Sequence, residues 1–578
     1  MNKTEKFIVF LLVLGLFASF YFGKPKQESR PQPPPAAVQK TVQAPAEPTA
    51  EAPRPVEAAA AVEQPSVPSV PEETVVLEND DLKLEVSTWG AVVNRATLKR
   101  YARNVGELSE ENPALVFDFA RSPLGRLEGV AGLAPNAAYE VKSASSNEVV
   151  LANGLATRTY RLGADYQLTL EESFATAAAA PHTLSVGGIA MGASKNDLLS
   201  IDSWAMDAKG GKVIHHGEGD SPFKPYLAGS MGGCSGASAA AGLPEVSTAG
   251  YPGAQKWVAL KNRFFVTALA GSTAENGGFE ASVARDLRSP AYRPGSVSAK
   301  VRFDQVPASR TSVFYVGPKK QSLLWDLGMK DVMEFGMWRV LCYPLVWILN
   351  LFNSWIPSYG IAIILLTILV RLIFWPLTHK STVGMKRMQE LQPKLKEIQA
   401  KFKDNPQRLQ QETFALYREA KVNPMSSCLP MLIQIPVFIA LFNVLRSAVE
   451  LRYAGFLWIA DLSEPEALFA SWFPFGGLNL LPILMAVTTA LQSYFTPSAG
   501  DKSQQRMMMV MMPLMMLFMF YSFPSALSLY WFLSNLFSIV QMWLIRRQTA
   551  AKPAAGSSVF PDGIIDPPQT RQMRRHQD

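Results

Sequence analysis

Five apolar runs crowd the C-terminal part of the chain, at 357–377, 428–446, 478–496, 507–523 and 525–546. Each approaches the ~20 residues that carry a helix across ~30 Å of hydrocarbon. Nothing else in the sequence constrains the fold as tightly, because runs of this length and spacing bound the region to a bundle of membrane helices. The last two are separated only by a short turn around Phe523-Pro524-Ser525 and form a tight hairpin. One run carries a permanent cation: in LLTILVRLIFWPLTHKS, Arg371 sits six residues before Leu377, roughly 9 Å from the end of the span at 1.5 Å per residue. A guanidinium there costs at least ~2.5–3.5 kcal/mol on insertion scales.

A sixth run, at 7–22, follows the basic head MNKTEK. It is open to two readings, a cleaved signal peptide or an anchor. It ends in Phe20-Tyr21-Phe22, with no small-x-small cleavage site and no Cys for lipidation, so residues 1–23 read as an uncleaved transmembrane anchor. Six spans place both termini on one side. Lys3 and Lys6 precede the first span, Lys380, Lys386, Arg387, Lys394, Lys396 and Lys401 follow the second, Lys502 and Arg506 separate the fourth and fifth, and Arg546 and Arg547 close the sixth. All fall on one face, which the positive-inside rule makes cytoplasmic. This clustering decides what the net charge of +7 means: the bases flank apolar spans, which points to a membrane rather than to nucleic acid. Three cysteines, Cys234, Cys342 and Cys428, support neither a disulfide framework nor a thiolate metal cage.

Everything between spans one and two is then exported. Residues 24–72 are rich in Pro, Ala, Glu and Gln, cannot build a core, and read as an extended, disordered linker. From 73 to 330 short runs alternate: Tyr166, Leu168 and Leu170 with Gln167, Thr169 and Glu171, and Val297, Ala299, Val301 and Phe303 with Ser298, Lys300 and Arg302. Many such strands between Gly-rich turns indicate a large β-sandwich. Residues 331–356 follow as an amphipathic helix with Phe335, Trp338, Cys342, Leu345, Ile348 and Phe352 on one stripe. It is either a packed core helix or one lying along the outer leaflet, and its place just before a span favours the interfacial reading.

The stretch 378–427 reads as a pair of charged helices. Met388, Leu391, Leu395, Ile398 and Phe402 keep a 3-4 spacing, and Leu409, Thr413, Leu416 and Ala420 resume it after Asp404-Asn405-Pro406. That is the seam of a helical hairpin or the underside of a solvated charged face. Residues 447–477 form an exported loop, 497–506 a cytoplasmic loop and 547–578 a cytoplasmic tail.

Arg371 has two readings: its side chain snorkels to the headgroups, or it faces the bundle interior. Thr367 lies one turn away, and Gln434, Asn443, Thr488, Gln492, Ser534 and Asn535 interrupt the other spans. Such groups tend to face one another or water. None of the five C-terminal spans contains an acidic residue, so hydration or a transient anionic guest is the natural compensation for the cation. The run from Met507 to Met519 holds eight methionines. It suits a surface that accepts varied apolar partners, and equally a lipid-facing filler. His215-His216 with Glu218 and Asp220 could bind a metal, but the Gly-rich surroundings favour a surface turn. No Walker, H-E-x-x-H or G-x-S-x-G motif is present, so no enzyme machinery and no cofactor is indicated.

The segments TILVRLIFWPLT, LQPKLKEIQAKFKDNPQRLQQETFALYREAKVNP, CLPMLIQIPVFIALF and FPSALSLYWFLSNL resemble the YidC/Oxa/Alb family of membrane protein insertases, in the long form of Gram-negative inner membranes. STWGAVVNRATL and SVFYVGP extend the resemblance into the exported region. The resemblance implies a polytopic α-helical membrane protein: six transmembrane helices with a five-helix insertase core, a periplasmic all-β supersandwich at 73–330 and a cytoplasmic helical hairpin. It further implies a hydrophilic groove open to cytoplasm and lipid, with Arg371, Thr367, Gln434, Ser534 and Asn535 as its polar positions and Trp531 as its aromatic one. A substrate slide would run along Ile433, Val437, Leu441, Met511, Met515 and Met519. The hairpin, with Lys386, Arg387, Lys394 and Lys396, would engage substrates, ribosomes or the signal recognition particle receptor. Clients would be nascent membrane proteins, taken alone or beside the Sec translocon within membrane lipids, with no specific nucleic acid involved. Ser426-Ser427 and Ala526 stand where the family commonly has glycine, which concerns backbone freedom at span ends. Two rivals remain: a secondary transporter, which would favour inverted repeats and carboxylate–cation pairs, and an anchored periplasmic binding module, which leaves five spans unexplained.

Overall fold

The structure, a computed structural model, describes residues 70–190, 199–207, 210–217, 222–223, 227, 244–285, 294–420, 422, 429–469, 477–496 and 502–550. The expected anchor at 7–22, the linker up to residue 69, Glu218, Asp220, Ser426, Ser427 and the tail from 551 lie outside these residues.

Between Thr74 and Pro318 the described chain forms eighteen strands in three antiparallel sheets of four, five and nine strands. Period-two alternation explains which way each strand faces. In Gln167–Phe174 the residues Leu168, Leu170, Glu172 and Phe174 point inward, and in Ala156–Leu162 the inward set is Ala156, Arg158, Tyr160 and Leu162. The core between the sheets is built from side chains such as Leu168, Leu184, Val258, Val301 and Phe314, each with no more than 0% of its surface exposed. Charge enters that core in register. Glu172 lies opposite Arg158 on one neighbouring strand and opposite Arg310, of Ser309–Pro318, on the other. The Arg–Glu–Arg ladder continues to the facing five-stranded sheet, where Arg310 Nη1 lies 2.9 Å from His182 Nε2.

Helices follow: α1 (Gln321–Asp326), α2 (Arg339–Trp355), α3 (Tyr359–Glu390), α4 (Gln392–Lys401), α5 (Pro406–Glu419), α6 (Leu429–Ser447), α7 (Leu480–Phe495), α8 (Lys502–Phe520) and α9 (Ser525–Ala550). Two boundaries depart from expectation. The amphipathic helix read over 331–356 begins only at Arg339, because Glu334 at φ 56° and Gly336 at φ 50° break the chain into two 3₁₀ turns first. It also has two apolar faces: Cys342, Val346 and Leu349 are buried, whereas Val340, Trp347 and Trp355 are exposed. The span read as ending at 377 runs on without a break to Glu390, through Pro376. Lys380, Lys386, Arg387 and Met388 therefore belong to α3 rather than to a separate helix of the charged pair. That pair is α4 and α5, in mutual contact; Pro406 opens α5 and the Asn405 side chain caps it by accepting from Arg408 N at 3.1 Å.

Among the described residues α3 and the Ser525–Ile545 part of α9 are long and apolar enough to cross a membrane; Gln434–Ser447, Leu480–Phe495 and Met509–Phe520 are shorter apolar helices. They pack through a second core that includes Leu366, Leu441, Leu445, Met485, Phe520 and Tyr530.

Candidate functional site

Arg371 projects from α3, half-buried, and its Nη2 donates to Ser534 Oγ of α9. Tyr530 precedes Ser534 by four residues and so occupies the same face of α9. Its hydroxyl, buried, accepts from Gln434 Nε2 of α6 at 3.2 Å. A polar row thus crosses three helices: Arg371, Ser534, Tyr530, Gln434. Among the described residues no carboxylate pairs with Arg371; a neutral hydroxyl is its partner.

Two of the expected polar positions do other work. Thr367 is fully buried and returns its hydroxyl proton to Ile363 O of its own helix at 2.7 Å. Asn535, one residue past Ser534 and so ~100° around the axis, points away from Arg371. Its Nδ2 donates to Thr489 Oγ1 at 2.8 Å and lies 3.2 Å from Thr488 Oγ1, clamping α9 to α7. Trp531 sits in an aromatic cluster, edge-on to Phe438 at 4.9 Å and 5.4 Å from Phe520. Tyr530 was not singled out from the sequence, although its four-residue spacing to Ser534 is the signal that would have found it.

The expected slide residues divide likewise. Met511, Met515 and Met519, four apart on α8, are 58%, 56% and 43% exposed and make one continuous apolar stripe. Val437 is half-buried, and the side chain of Ile433 lies outside the described residues. Leu441 corrects the expectation: it is wholly buried in the helical core, because that turn of α6 faces the bundle. Lys394 and Lys396 of α4 and Arg387 of α3 are exposed, and Lys386 is half-buried.

The chain turns at His216-Gly217, as expected, but His216 is buried there rather than on the surface. His215 ends the strand Gly210–His215, where its Nδ1 lies 3.0 Å from Asp202 Oδ1, and His216 is buried beside Ser203 and Tyr251. Asp202, His215 and Glu334 converge with ligand atoms within 4.8 Å of one another. The cation there is Lys261, whose Nζ pairs with Asp202 and lies 2.9 Å from both Glu334 Oε1 and Val332 O. Burial works against the Asp202 carboxylate, yet Lys261 and the His215 hydrogen bond hold its pKa down at about 2. The same hydrogen bond raises that of His215. A metal would have to displace the ammonium.

Residues 74–348 match the family profile of the YidC periplasmic domain, and residues 351–552 match that of the 60Kd inner membrane protein. The membrane protein insertase YidC of Prosthecochloris aestuarii is 31% identical over 455 residues, spanning 76% of this chain and 72% of that relative. The chain belongs to the YidC family. Its β-rich part is the family's large periplasmic domain, and its helical part is that of an inner-membrane protein. The YidC of Syntrophobacter fumaroxidans is 41% identical over 300 residues, 50% of this chain and 53% of that protein, so the chain spans about half the length of the first curated relatives it matches. A crystal structure of YidC from Thermotoga maritima covers 81% of this chain and 98% of its own, at 14% identity and a TM-score of 0.28.

Proposed function

We propose that this protein is a membrane protein insertase and chaperone, which receives nascent inner-membrane proteins and helps them fold and assemble, alone or beside the Sec translocon. The observation that carries the reading is Arg371: a half-buried guanidinium among apolar helices whose described partner is a hydroxyl, not a carboxylate. A permanent cation with no fixed counter-charge is suited to a passing polar or acidic segment. Water and the guanidinium lower the cost of desolvating that segment as it enters the inner leaflet. Its apolar segment leaves along the exposed Met511, Met515 and Met519 stripe into lipid. Burial of ~20 apolar residues supplies the driving force, so no nucleotide is required.

In this reading six spans, the first at 1–23, keep both termini in the cytoplasm, and the groove opens to cytoplasm and lipid. The α4–α5 pair with its exposed Lys394 and Lys396 is cytoplasmic and meets clients, ribosomes or the signal recognition particle receptor. The test is reconstitution into liposomes with a two-span client, scored by protease protection of its exported segment. Arg371→Ala lowers insertion of clients with acidic exported tails by roughly tenfold or more, the equivalent of a charge-assisted hydrogen bond. Arg371→Lys largely retains it. Equal insertion by the Ala and unaltered proteins would remove this cation from the mechanism.

A further inference from the structure

Arg263 lies in the turn between the strands Gln255–Lys261 and Phe265–Ser272 of the periplasmic domain, and its hydrogen-bonded side-chain partners lie in the helical part. Its Nε donates to Arg446 O at 2.7 Å, Nη2 to Ser463 O at 2.6 Å, and Nη1 pairs with Glu464 Oε1 at 2.5 Å. Arg446 stands in the last turn of α6, where carbonyls lack helical partners, so the guanidinium satisfies one of them. The side chain is 5% exposed as a residue and lies over Phe264 at 4.6 Å. A second arginine holds the same segment from its own side: Arg452 Nη1 donates to Ala102 O at 3.0 Å and stacks on Phe265.

The segment so held is stiff. Asp461 Oδ1 accepts from Tyr453 N at 3.0 Å, Ser463 N at 2.8 Å and Ser463 Oγ at 2.7 Å. It also passes directly to α9. Glu464 O accepts from Ser525 N at 2.9 Å and Ser525 Oγ at 2.6 Å, and Leu462 O accepts from Ala526 N at 2.9 Å. Ser525 begins α9, and Ser534 lies nine residues on, about 14 Å along one rigid helix.

We propose that Arg263 is a positioning residue: through 461–464 it fixes the outer end of α9 and so seats Tyr530 and Ser534 against Arg371. The proposal rests on the groove reading given above. The periplasmic domain thereby sets how open the polar row is, at a distance and with no contact to a client.

The experiment measures two quantities on the reconstituted full chain: insertion of the two-span client, and hydrogen exchange of the amides at 525–534. Arg263→Ala speeds that exchange and lowers insertion by roughly twofold to thirtyfold, the range of coupling through a packed network. Arg263→Lys, which keeps a charge for Glu464 but not the three-way fork, falls between. Ser525→Ala removes the Oγ bond to Glu464 O at the far end of the strut while the two backbone bonds remain, leaves the β domain untouched and changes both quantities in the same direction by a smaller amount. It decides the matter if Arg263→Ala also loosens exchange throughout 255–272. Unchanged exchange at 525–534 in both variants overturns the proposal, whatever insertion does. Faster exchange with normal insertion overturns the coupling of the periplasmic domain to the polar row, whereas failure of the groove reading is read separately, from equal insertion by Arg371→Ala and the unaltered protein.

Discussion

Two parts of this chain take arginine out of water, and they do it in opposite ways. In the β domain Arg158 and Arg310 are fully buried and each is held by several fixed partners. Arg158 donates to Gly90 O at 2.9 Å, Ala91 O at 2.8 Å and Gly125 O at 2.5 Å, and Arg310 Nε donates to Glu172 Oε2 at 2.7 Å. Glu172, equally buried, pairs with both guanidiniums. In the helical part Arg371 is half-buried and meets Ser534. The first arrangement is closed by charge: both guanidiniums meet the one carboxylate of Glu172, and the network holds neighbouring strands in register. The second meets a hydroxyl and, among the described residues, no carboxylate. Burial of a charge is costly in both, and in the proposed function only the guanidinium without a carboxylate partner is relieved by a client.

The comparison breaks most visibly at Glu172. Glu172→Ala leaves two buried guanidiniums without a counter-charge, Arg158 with only its backbone carbonyls and Arg310 with His182, and costs about 3–5 kcal/mol. Urea unfolding of the full chain, followed by hydrogen exchange in Gln167–Phe174, should show the β domain lost or nearly so. A small effect would mean that the ladder is no more fixed than Arg371.

His216 sharpens the contrast with a third solution, burial in the neutral form. Burial pushes its pKa down to about 4. The unfolded chain therefore takes up the proton first, so the contribution is complete above ~6.5 and is lost as pH falls toward 4, ~3 kcal/mol in all. His215, raised by Asp202, works in the other direction: its contribution is present below ~6.5 and fades as pH rises through its raised value. His216→Phe should flatten the acid side of the stability profile, measured by urea unfolding between pH 6.5 and 4, while leaving the His215 part.

The smallest expected effect is the most telling. Arg371→Leu strands no carboxylate and leaves only the Ser534 hydroxyl without its donor, so stability in detergent should change by ~1 kcal/mol or less. Insertion should nevertheless fall. A loss of stability as large as that of Glu172→Ala would make Arg371 another closed structural arginine.

Legibility followed the range over which each signal acts. Alternation at 166–171 and 297–303 marked strands, since the side-chain period is a local property of the backbone. It could not reveal that inward Glu172 would meet Arg158 and Arg310, because the pairing of those strands is not written in any one of them. Helical spacing could likewise have tied Tyr530 to Ser534, four residues on, but Tyr530 was not singled out. The family resemblance grouped Thr367 and Asn535 with Arg371, and Leu441 with the exposed apolar stripe. A polar residue in an apolar span signals that some partner exists, without saying which.

By itself the sequence determined where apolar runs lie, that basic residues flank them, where alternation begins, and that none of the five C-terminal runs contains an acid. Tertiary structure alone decided which neighbour each face meets. Ser534 and Asn535 are adjacent, but ~100° of helical rotation sends one to Arg371 and the other to Thr488 and Thr489. Arg263 and Glu464 stand 201 positions apart and form one contact. Periodicity orients a side chain about its own axis, and only the packing of separate elements sets what stands opposite it.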